Sequence, residues 1–245
     1  MPLLALETSS RQLGVAVLDG ERVLSSVEIL ADYPHAVELP DAVRRALSAA
    51  GATLQTLEAF VVDIGPGSFT GLRIGLAFMK ALAFASKKPA VGVPSLDVLA
   101  ANAPLSDGRA AVILDARQGN LYAALFQIKA GRMRRETDCL LGPADALLAR
   151  VASADVFLGD GCALYRDRIA HAARQAVVAP ADQWWPRVGA LARLGQERFA
   201  AGQRDDPATL VPLYLYPLDC SDRGPGRPTG VLVDVNIQAS RGRGH

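Results

Sequence analysis

The most informative segment of the 245-residue sequence is Asp63-Ile64-Gly65-Pro66-Gly67-Ser68-Phe69-Thr70-Gly71-Leu72-Arg73-Ile74-Gly75. An apolar run over 60–64 has the length of a buried strand, and a helix-permissive run follows over 69–86. Glycine tolerates positive φ and carries no Cβ, so the loop between them can turn sharply and approach another group closely. Ser68 or Thr70 can cap the helix by accepting a hydrogen bond from a free backbone N–H. The segment therefore predicts a strand, a glycine-rich turn and a helix.

Two interpretations of this loop stay open. The N–H groups at the start of the helix, with Arg73 one turn further on, could bind an anion. Alternatively, the loop is a capped turn that only packs tightly. No Gly-Lys-Ser/Thr follows it as in a P-loop, and its glycines do not have the spacing of the dinucleotide-binding pattern G-x-G-x-x-G. These absences favour the structural interpretation.

The helix after the loop carries small residues on one face. Gly71, Gly75 and Met79 recur at i, i+4 and i+8, and Leu82 joins them at i+11. Small side chains allow a second helix to approach closely. The pattern predicts a docking surface, on which Gly75→Leu breaks complex formation and leaves the fold intact.

Composition is that of a soluble globular protein. Half of the residues are apolar, 21% are charged and the net charge is +1. This balance gives no electrostatic reason to expect a broad basic face that binds nucleic acid unaided, although it leaves open a function on RNA within a complex. The length allows two domains of about 100–150 residues or one larger domain.

The cysteines and the N-terminal residues indicate a cytoplasmic protein. Cys139, Cys162 and Cys220 lie far apart and form no C-x-x-C pair, which disfavours a zinc site and a disulfide framework. The N-terminal apolar run has no basic region and leads directly into Glu7, unlike a signal peptide. No window has the roughly 18 uninterrupted apolar residues of a membrane helix. We expect no membrane association.

The strand pattern at the start of the chain recurs in its second half. Each copy has three apolar runs separated by polar turns: 3–6, 13–18 and 23–30, then 110–114, 121–128 and about 133–140. Such runs predict an antiparallel meander. The loop 103–108 is rich in turn-forming residues and marks a domain boundary. The sequence therefore predicts an internal duplication of topology.

Carboxylates at the predicted strand ends allow a hypothesis of metal-dependent or two-carboxylate hydrolysis. The four are Glu7, Asp63, Asp115 and Asp160. In a duplicated fold Glu7 and Asp115 could face one another across a cleft. Solvated turns carry the same residues, however, and the sequence has no His cluster, no H-x-x-x-H and no G-x-S-x-G. We predict a nucleotide-type cleft with no catalytic residue and no metal site.

Several segments resemble the TsaB family, also called YeaZ. They are 4–9, His35 ahead of Leu39-Pro40, the loop 65–75, then 114–122 and 212–215. The resemblance spans about residues 2–217, and the glycine-serine-phenylalanine-threonine-glycine run of the loop is highly specific to the family. Glu7 is a departure, since the family often has Asp there. TsaD-like relatives bind a metal through a paired-His helix, and Leu39 at i+4 from His35 departs from that pattern too.

The resemblance implies an α/β fold with two lobes of the actin, Hsp70 and sugar-kinase type. Each lobe is then a ribonuclease-H-like mixed sheet with helices. The N-terminal lobe is expected over 1–103, the C-terminal lobe over 104–218 and a flexible tail over 219–245. This expectation agrees with the duplicated strand pattern.

The resemblance also implies a function in tRNA modification. Members of the family are non-catalytic partners of TsaD, which transfers a threonylcarbamoyl group to the adenosine beside the anticodon of certain tRNAs. The chain is then expected to bind and activate TsaD, to form a homodimer when TsaD is absent, and to work with the ATPase TsaE. It is expected to meet tRNA only indirectly, through the complex.

Two sets of site residues follow from the resemblance. The expected partner surface comprises His35, Val43, Leu47, Phe69, Gly71, Leu72, Gly75 and Met79. Its small residues permit close approach, and its apolar residues supply contact area without charge. ATP or ADP is a candidate ligand at the cleft or the partner interface, and no other cofactor is expected. The candidate nucleotide contacts are Thr8, Ser9, Asp115, Arg117, Gly159 and Gly161.

Two functions are alternatives to that of a TsaD partner. The second hypothesis is a small nucleotide-dependent kinase or ATPase that uses Thr8, Ser9, Asp115 and the segment 159–161. Sustained ATP turnover that Asp115→Ala abolishes would favour it. A peptidase is the least favoured hypothesis, because the sequence shows no residues that would cut a peptide bond.

Overall fold

The computed structural model describes residues 2–30, 35–213 and 233–235. Their contacts divide the chain into two compact units. Unit 1 contains the described residues up to Val98 together with Pro186–Leu213, and unit 2 contains Leu99–Trp185 with the described residues 233–235.

Unit 1 is built on a five-stranded mixed sheet. Its strands are β1 (Pro2–Glu7), β2 (Gln12–Asp19), β3 (Arg22–Leu30), β4 (Ala59–Asp63) and β5 (Ala90–Val93). Their order across the sheet is β3-β2-β1-β4-β5. Strands β1 to β3 form the predicted antiparallel meander, whereas β4 pairs parallel with β1 and with β5.

The central strands of unit 1 are buried on both faces. Side chains alternate between the two sides of a sheet, so each of these strands contributes to two cores. Leu4 and Leu6 join an apolar core with residues of α1 (His35–Ala49) and α2 (Phe69–Ser86). On the other face, Leu3 and Ala5 join a second core with residues of a helix over Val188–Ala200. A short helix, α3 (Ser95–Ala100), follows β5.

Unit 2 is built on a second mixed sheet. Its strands are β6 (Gly108–Asp115), β7 (Asn120–Lys129), β8 (Arg132–Arg135), β9 (Cys139–Pro143), β10 (Val156–Leu158), β11 (Val177–Val178) and β12 (Val233–Val235). They follow the order β11-β10-β6-β7-β9-β12, and β8 also pairs with β7. The helices are α4 (Ala144–Arg150), α5 (Gly161–Ala172) and a short 3-10 helix over Ala181–Gln183; the helix Val188–Ala200 of unit 1 is α6.

The two sheets share one topology. The order β9-β7-β6-β10-β11 in unit 2 repeats the order β3-β2-β1-β4-β5 in unit 1. In each unit the first strand pairs antiparallel with the second, and it pairs parallel with β4 in unit 1 and with β10 in unit 2. The duplication predicted from the sequence is therefore present in the structure.

The division into units differs from the predicted lobes in two respects. The helix α6 packs on the sheet of unit 1, although the sequence placed it in a lobe over 104–218. A Cβ added to Gly195 of α6 would collide with Val61 of β4, so the helix lies very close to that sheet. The predicted tail over 219–245 contributes β12, which pairs antiparallel with β9, and its other residues lie outside the described part of the chain.

Candidate functional site

Two carboxyl groups meet at the ends of the central strands of unit 1. Glu7 ends β1 and Asp63 ends β4, and the parallel register that pairs Leu6 with Val62 sets them side by side. Both side chains are completely buried. The position of both residues at strand ends is predicted from the sequence, whereas their adjacency is not.

Each carboxyl group has its own set of donors. One oxygen of Glu7, Oε1, accepts bonds from the backbone N of Ser9 at 2.7 Å and from its Oγ at 2.6 Å. Oδ1 of Asp63 accepts bonds from the backbone N of Gly65 at 2.7 Å and from Ser95 Oγ at 2.5 Å. Among the described residues, neither Oε2 of Glu7 nor Oδ2 of Asp63 has a hydrogen-bond partner.

Burial shifts the pKa of both carboxyl groups. Burial raises the pKa of Glu7 well above its usual range, and the negative charge of Asp63 raises it further. Burial also raises the pKa of Asp63, and the hydrogen bonds that it accepts from Ser95 and Gly65 oppose that rise. Two such groups side by side do not both ionise readily, so the pair keeps a proton at a pH above the usual carboxyl range.

The glycine-rich loop satisfies its backbone donors within unit 1. Ser68 N donates to the carbonyl oxygen of Ser9 at 2.6 Å, and Gly65 N donates to Asp63. Ser68 caps α2, as predicted, because its Oγ accepts a bond from Gly71 N at 3.2 Å. An anion would have to displace these partners. The geometry therefore favours the capped-turn interpretation over the anion site.

The small-residue face of α2 points into unit 1 and not to solvent. A Cβ added to Gly71 would collide with the backbone oxygen of Thr8, and one added to Gly75 would collide with Thr8 Oγ1. Met79 is completely buried on the same face. The glycines thus let α2 lie against the end of β1, so the prediction that this face docks a partner is wrong.

Other residues of the predicted partner surface are also held in unit 1. Val43 and Leu72 are buried, and Leu47 packs against the core while remaining partly exposed. The ring Nε2 of His35 hydrogen-bonds the carbonyl oxygen of Ser10 at 2.7 Å, which ties the start of α1 to the β1–β2 turn. Phe69, in contrast, is 55% exposed.

The opposite side of α2 presents an apolar surface to solvent. Phe84 is 88% exposed, and Ala77 and Ala81 are exposed between it and Phe69. The guanidinium of Arg73 lies 3.8 Å from the centroid of the Phe69 ring. We call Phe69, Ala77, Ala81 and Phe84 the outer face of α2. Val37 of the neighbouring helix α1 is exposed as well.

Among the described residues, α2 is the one helix whose length and apolar composition would allow it to cross a bilayer. Its inner side packs against β1 and β4 through Gly71, Gly75 and Met79. This packing accounts for the apolar inner side without a membrane.

The candidate nucleotide contacts separate into two groups. Thr8 and Ser9 are buried in unit 1 beneath the start of α2, so neither side chain lines an open site, contrary to the prediction. The unit 2 candidates come together where β6 and β10 end. Arg117 N donates to Asp115 Oδ1 at 2.9 Å, and its guanidinium lies 3.3 Å from Asp115 Oδ2. Asp115 N donates to Asp160 Oδ1 at 2.9 Å.

Gly159 and Gly161 bring this turn close to β6. Gly159 has φ +108°, and a Cβ there would collide with the carbonyl oxygen of Ile113. Burial raises the pKa of Asp160, and burial with the nearby Asp160 raises the pKa of the Cys162 thiol to about 12. Asp160 immediately precedes α5, so its carboxylate lies at the N-terminus of that helix, the position that a phosphate would favour. Nucleotide binding here stays a prediction.

Within residues 2–30, 35–213 and 233–235, no group of three or more His, Cys, Asp or Glu side chains is placed to hold a metal ion. The helix α1 carries Leu39 at i+4 from His35, and Leu39 is completely buried in the core.

Comparison with known proteins establishes the family. A family model described as TsaD, tRNA N6-adenosine threonylcarbamoyltransferase, matches residues 28–207. The tRNA threonylcarbamoyladenosine biosynthesis protein TsaB of Bacillus subtilis is 34% identical over 219 residues, which cover 88% of this chain and 94% of that protein. The chain belongs to the TsaB family.

Further comparisons agree with the TsaB assignment. The structure of YeaZ from Pseudomonas aeruginosa matches with a TM-score of 0.76 and 32% identity, covering 87% of this chain and 99% of that chain. A tRNA N6-adenosine threonylcarbamoyltransferase of Trichlorobacter lovleyi is 37% identical over 113 residues, which cover 40% of this chain and 33% of that protein. The family predicted from the sequence is confirmed.

The TsaB-type fold is confirmed as well. Both units carry the strand order of a ribonuclease-H-like mixed sheet, as the resemblance implied, and the match to YeaZ extends over most of the chain. One residue of the unit 1 polar cluster was missed. Ser95 comes two residues after the last residue of β5, the parallel neighbour of β4, and a hydroxyl at that place was the signal that could have linked it to Asp63.

Proposed function

We propose that this TsaB-family chain is a non-catalytic subunit in threonylcarbamoyl transfer to the adenosine beside the anticodon of tRNAs, and that it acts by binding and activating TsaD. The Bacillus subtilis relative is a tRNA threonylcarbamoyladenosine biosynthesis protein, which supports the pathway. The observation that carries the binding function is the outer face of α2, where two phenylalanine rings and two alanines lie exposed on one side of a helix.

An exposed apolar helix face of this kind is typical of a protein-binding surface. A phenylalanine ring can bury about 150–250 Å² in a contact and is a common source of binding energy. Ala77 and Ala81, between the two rings, let a partner helix approach closely. The outer face therefore offers both contact area and space.

The partner proposed for this face is TsaD. The TsaD family model matches 28–207 of this chain, so TsaD carries a domain of the same family. Related folds can pack equivalent helices against each other across an approximate two-fold axis. The same reasoning supports a homodimer through the outer face when TsaD is absent. We place TsaE and tRNA in the same assembly, with the chain in the cytoplasm.

The non-catalytic part of the proposal is supported by how the polar groups are used. Glu7 and Asp63 are buried and accept hydrogen bonds from Ser9 and Ser95, and Thr8 and Ser9 are buried as well. Asp115, which would serve a kinase or an ATPase, bonds to Arg117. ATP or ADP at the ends of β6 and β10 stays a candidate ligand without a chemical step assigned to it.

A reconstituted transfer assay tests this function. TsaD, TsaE, tRNA, a threonylcarbamoyl donor and ATP are mixed with and without the chain, and modified adenosine is measured. We expect transfer to fall at least about tenfold when the chain is omitted, whereas the Asp115→Ala chain supports the full rate, because Asp115 takes no part in the chemistry.

Two results would contradict the proposal. One is an equal rate of transfer with and without the chain. The other is sustained ATP hydrolysis by the chain alone that Asp115→Ala abolishes, which would establish the nucleotide-dependent enzyme instead.

A further inference from the structure

The hairpin of β7 and β8 gathers basic residues that play no part in the proposed contact with TsaD. The segment 129–135 contains four basic residues and no acidic one: Lys129, Arg132, Arg134 and Arg135. A local basic run of this length is a feature of some nucleic-acid-binding surfaces, although many such runs are only solvated. The register of the strands decides where the side chains point.

Strand pairing brings most of these cations to one face of the sheet. Arg109 of β6 pairs with Gln127 of β7, and Gln127 pairs with Arg134 of β8, so the three lie in one row across the sheet. Lys129 of β7 pairs with Arg132 of β8, two residues away on each strand. Residues paired directly, and residues two apart on a strand, share a face. We call Arg109, Lys129, Arg132 and Arg134 the basic face.

Exposure separates the two sides of this hairpin. All four residues of the basic face are exposed, the side chain of Arg134 by 77%. On the other side, Phe126 and Ile128 are buried in unit 2, and the guanidinium of Arg135 lies 4.9 Å from the centroid of the Phe126 ring. The hairpin therefore turns Lys129, Arg132 and Arg134 outward, and Arg135 lies on the inner side with the apolar side chains.

The acidic residues nearby leave the face positive. Oε2 of Glu136 lies 3.2 Å from Nε of Arg109, and Oε1 of Glu136 lies 4.0 Å from Nη2 of Arg134. Lys129 and Arg132 form no ion pair with the described residues. Asp107 accepts a bond from the backbone of the hairpin turn, and Asp138 is exposed further along the chain. Oδ2 of Asp155 also accepts a bond from the backbone N of Arg109 at 2.7 Å. Counting Glu136, Asp107 and Asp155 against the four cations leaves a local charge of +1, with Lys129 and Arg132 as the cations that no described carboxylate pairs.

The spacing lets these charges act together. Residues two apart on a strand lie about 6.6 Å apart, and neighbouring strands about 4.8 Å. Lys129, Arg132 and Arg134 therefore lie within roughly one Debye length of a neighbour, about 8 Å at physiological ionic strength, and Arg109 lies two strands, about 9.6 Å, from Arg134. An anion approaching the face meets their combined field.

We propose that the basic face contacts the phosphate backbone of the tRNA in the assembly with TsaD. The inference rests on the proposed function, which brings tRNA to the assembly. It goes further, because it assigns the chain a direct contact with the RNA where the sequence predicted only an indirect one. Three of the four cations are arginines, whose planar guanidinium groups can form two parallel hydrogen bonds to a phosphate. Such contacts position the RNA and do not read its sequence.

RNA fits this surface better than an anionic membrane does. A peripheral membrane contact inserts apolar side chains beside its cations. Among the described residues of β6, β7 and β8, no large apolar side chain is exposed. The face is polar and cationic, which matches an RNA backbone.

A charge-reversal variant tests the proposal. The full-length Arg132→Glu/Arg134→Glu chain is combined with TsaD, and binding to fluorescently labelled tRNA is followed by anisotropy at several salt concentrations. We expect the affinity at low salt to fall about tenfold or more, and the slope of log affinity against log salt to lose about one to two units, because fewer counterions are released. The matched control Arg22→Glu/Arg193→Glu makes the same change in net charge on exposed residues of unit 1 and is expected to bind tRNA normally.

The controls separate failure of this proposal from failure of the proposed function. Both variants are expected to bind TsaD as the unmodified chain does, which gel filtration checks. If the unmodified chain does not bind TsaD, the proposed function fails, and the same anisotropy series on the chain alone at low salt still tests the basic face. Unchanged tRNA affinity and salt slope in Arg132→Glu/Arg134→Glu would overturn the inference. So would loss of binding to phosphatidylserine vesicles with no loss of binding to tRNA.

Discussion

Gly75→Leu is expected to prevent unit 1 from folding stably. The inner side of α2 lies against Thr8, and even one Cβ at position 75 would collide with Thr8 Oγ1. Thr8 is completely buried and β-branched, so its side chain has little freedom to move away. Overpacking of a tight core costs about 1–3 kcal/mol for small additions, and a leucine here adds four carbons. We expect a loss of more than about 3 kcal/mol in the free energy of unfolding.

Thermal and urea denaturation followed by circular dichroism measures this effect. Ala77→Leu is the matched control, because Ala77 lies two residues further along the same helix on its outer face and is exposed. The control is expected to change the free energy of unfolding by less than about 0.5 kcal/mol. A Gly75→Leu chain that is as stable as the control would show that α2 does not pack on β1 as described.

Glu7→Gln is expected to stabilise the chain at alkaline pH and to remove part of its pH dependence. Burial raises the pKa of Glu7, so the folded chain keeps a proton that the unfolded chain releases above about pH 4.3. The free energy that Glu7 contributes to folding is therefore largest below that pH, and it is lost as the pH rises through the folded pKa. Glutamine imitates the protonated acid, because its amide can donate to Asp63 and accept from Ser9 without titrating.

Urea denaturation between pH 5 and pH 8 measures the difference between this variant and the unmodified chain. We expect the variant to gain stability relative to the unmodified chain as the pH rises, because the unmodified chain must then either hold the Glu7 proton or bury a second charge beside Asp63. Glu21→Gln, at the exposed turn between β2 and β3, is expected to show a difference that does not vary with pH. A Glu7→Gln difference that is equally constant would mean that Glu7 holds no proton in the folded chain.

The antiparallel meander of β1 to β3 and its repetition in unit 2 could be predicted because local sequence carries the signal. Apolar runs such as 13–18 alternate with short polar turns, and the pattern repeats after residue 108. Helix α6 could not be assigned to its sheet in this way. Its apolar positions, among them Val188 and Leu191, show that it packs on something but carry no information about which sheet receives it. That choice is made by long-range packing.

The candidate site was predicted less well, for a related reason. A row of small residues such as Gly71 and Gly75 indicates close approach, but a partner helix and the end of a strand leave the same pattern in the sequence. Only the position of Thr8, 63 residues before Gly71, distinguishes them. The pairing of Glu7 with Asp63 likewise depends on β1 and β4 being parallel neighbours across 56 residues of chain. Contacts of this kind follow from topology and not from local sequence.

The affinity of TsaD for the chain, measured by isothermal titration calorimetry, is the most direct test of the outer face of α2 as the partner surface. The variant Phe69→Glu/Phe84→Glu is compared with Leu164→Glu/Val177→Glu, which places the same charges at two exposed apolar positions of unit 2. Truncated or charged hot-spot residues typically cost 2 kcal/mol or more each. We predict that the affinity falls at least about 100-fold for the α2 variant and stays within about threefold for the control, with both chains folded. An α2 variant that binds TsaD as tightly as the unmodified chain would contradict the account.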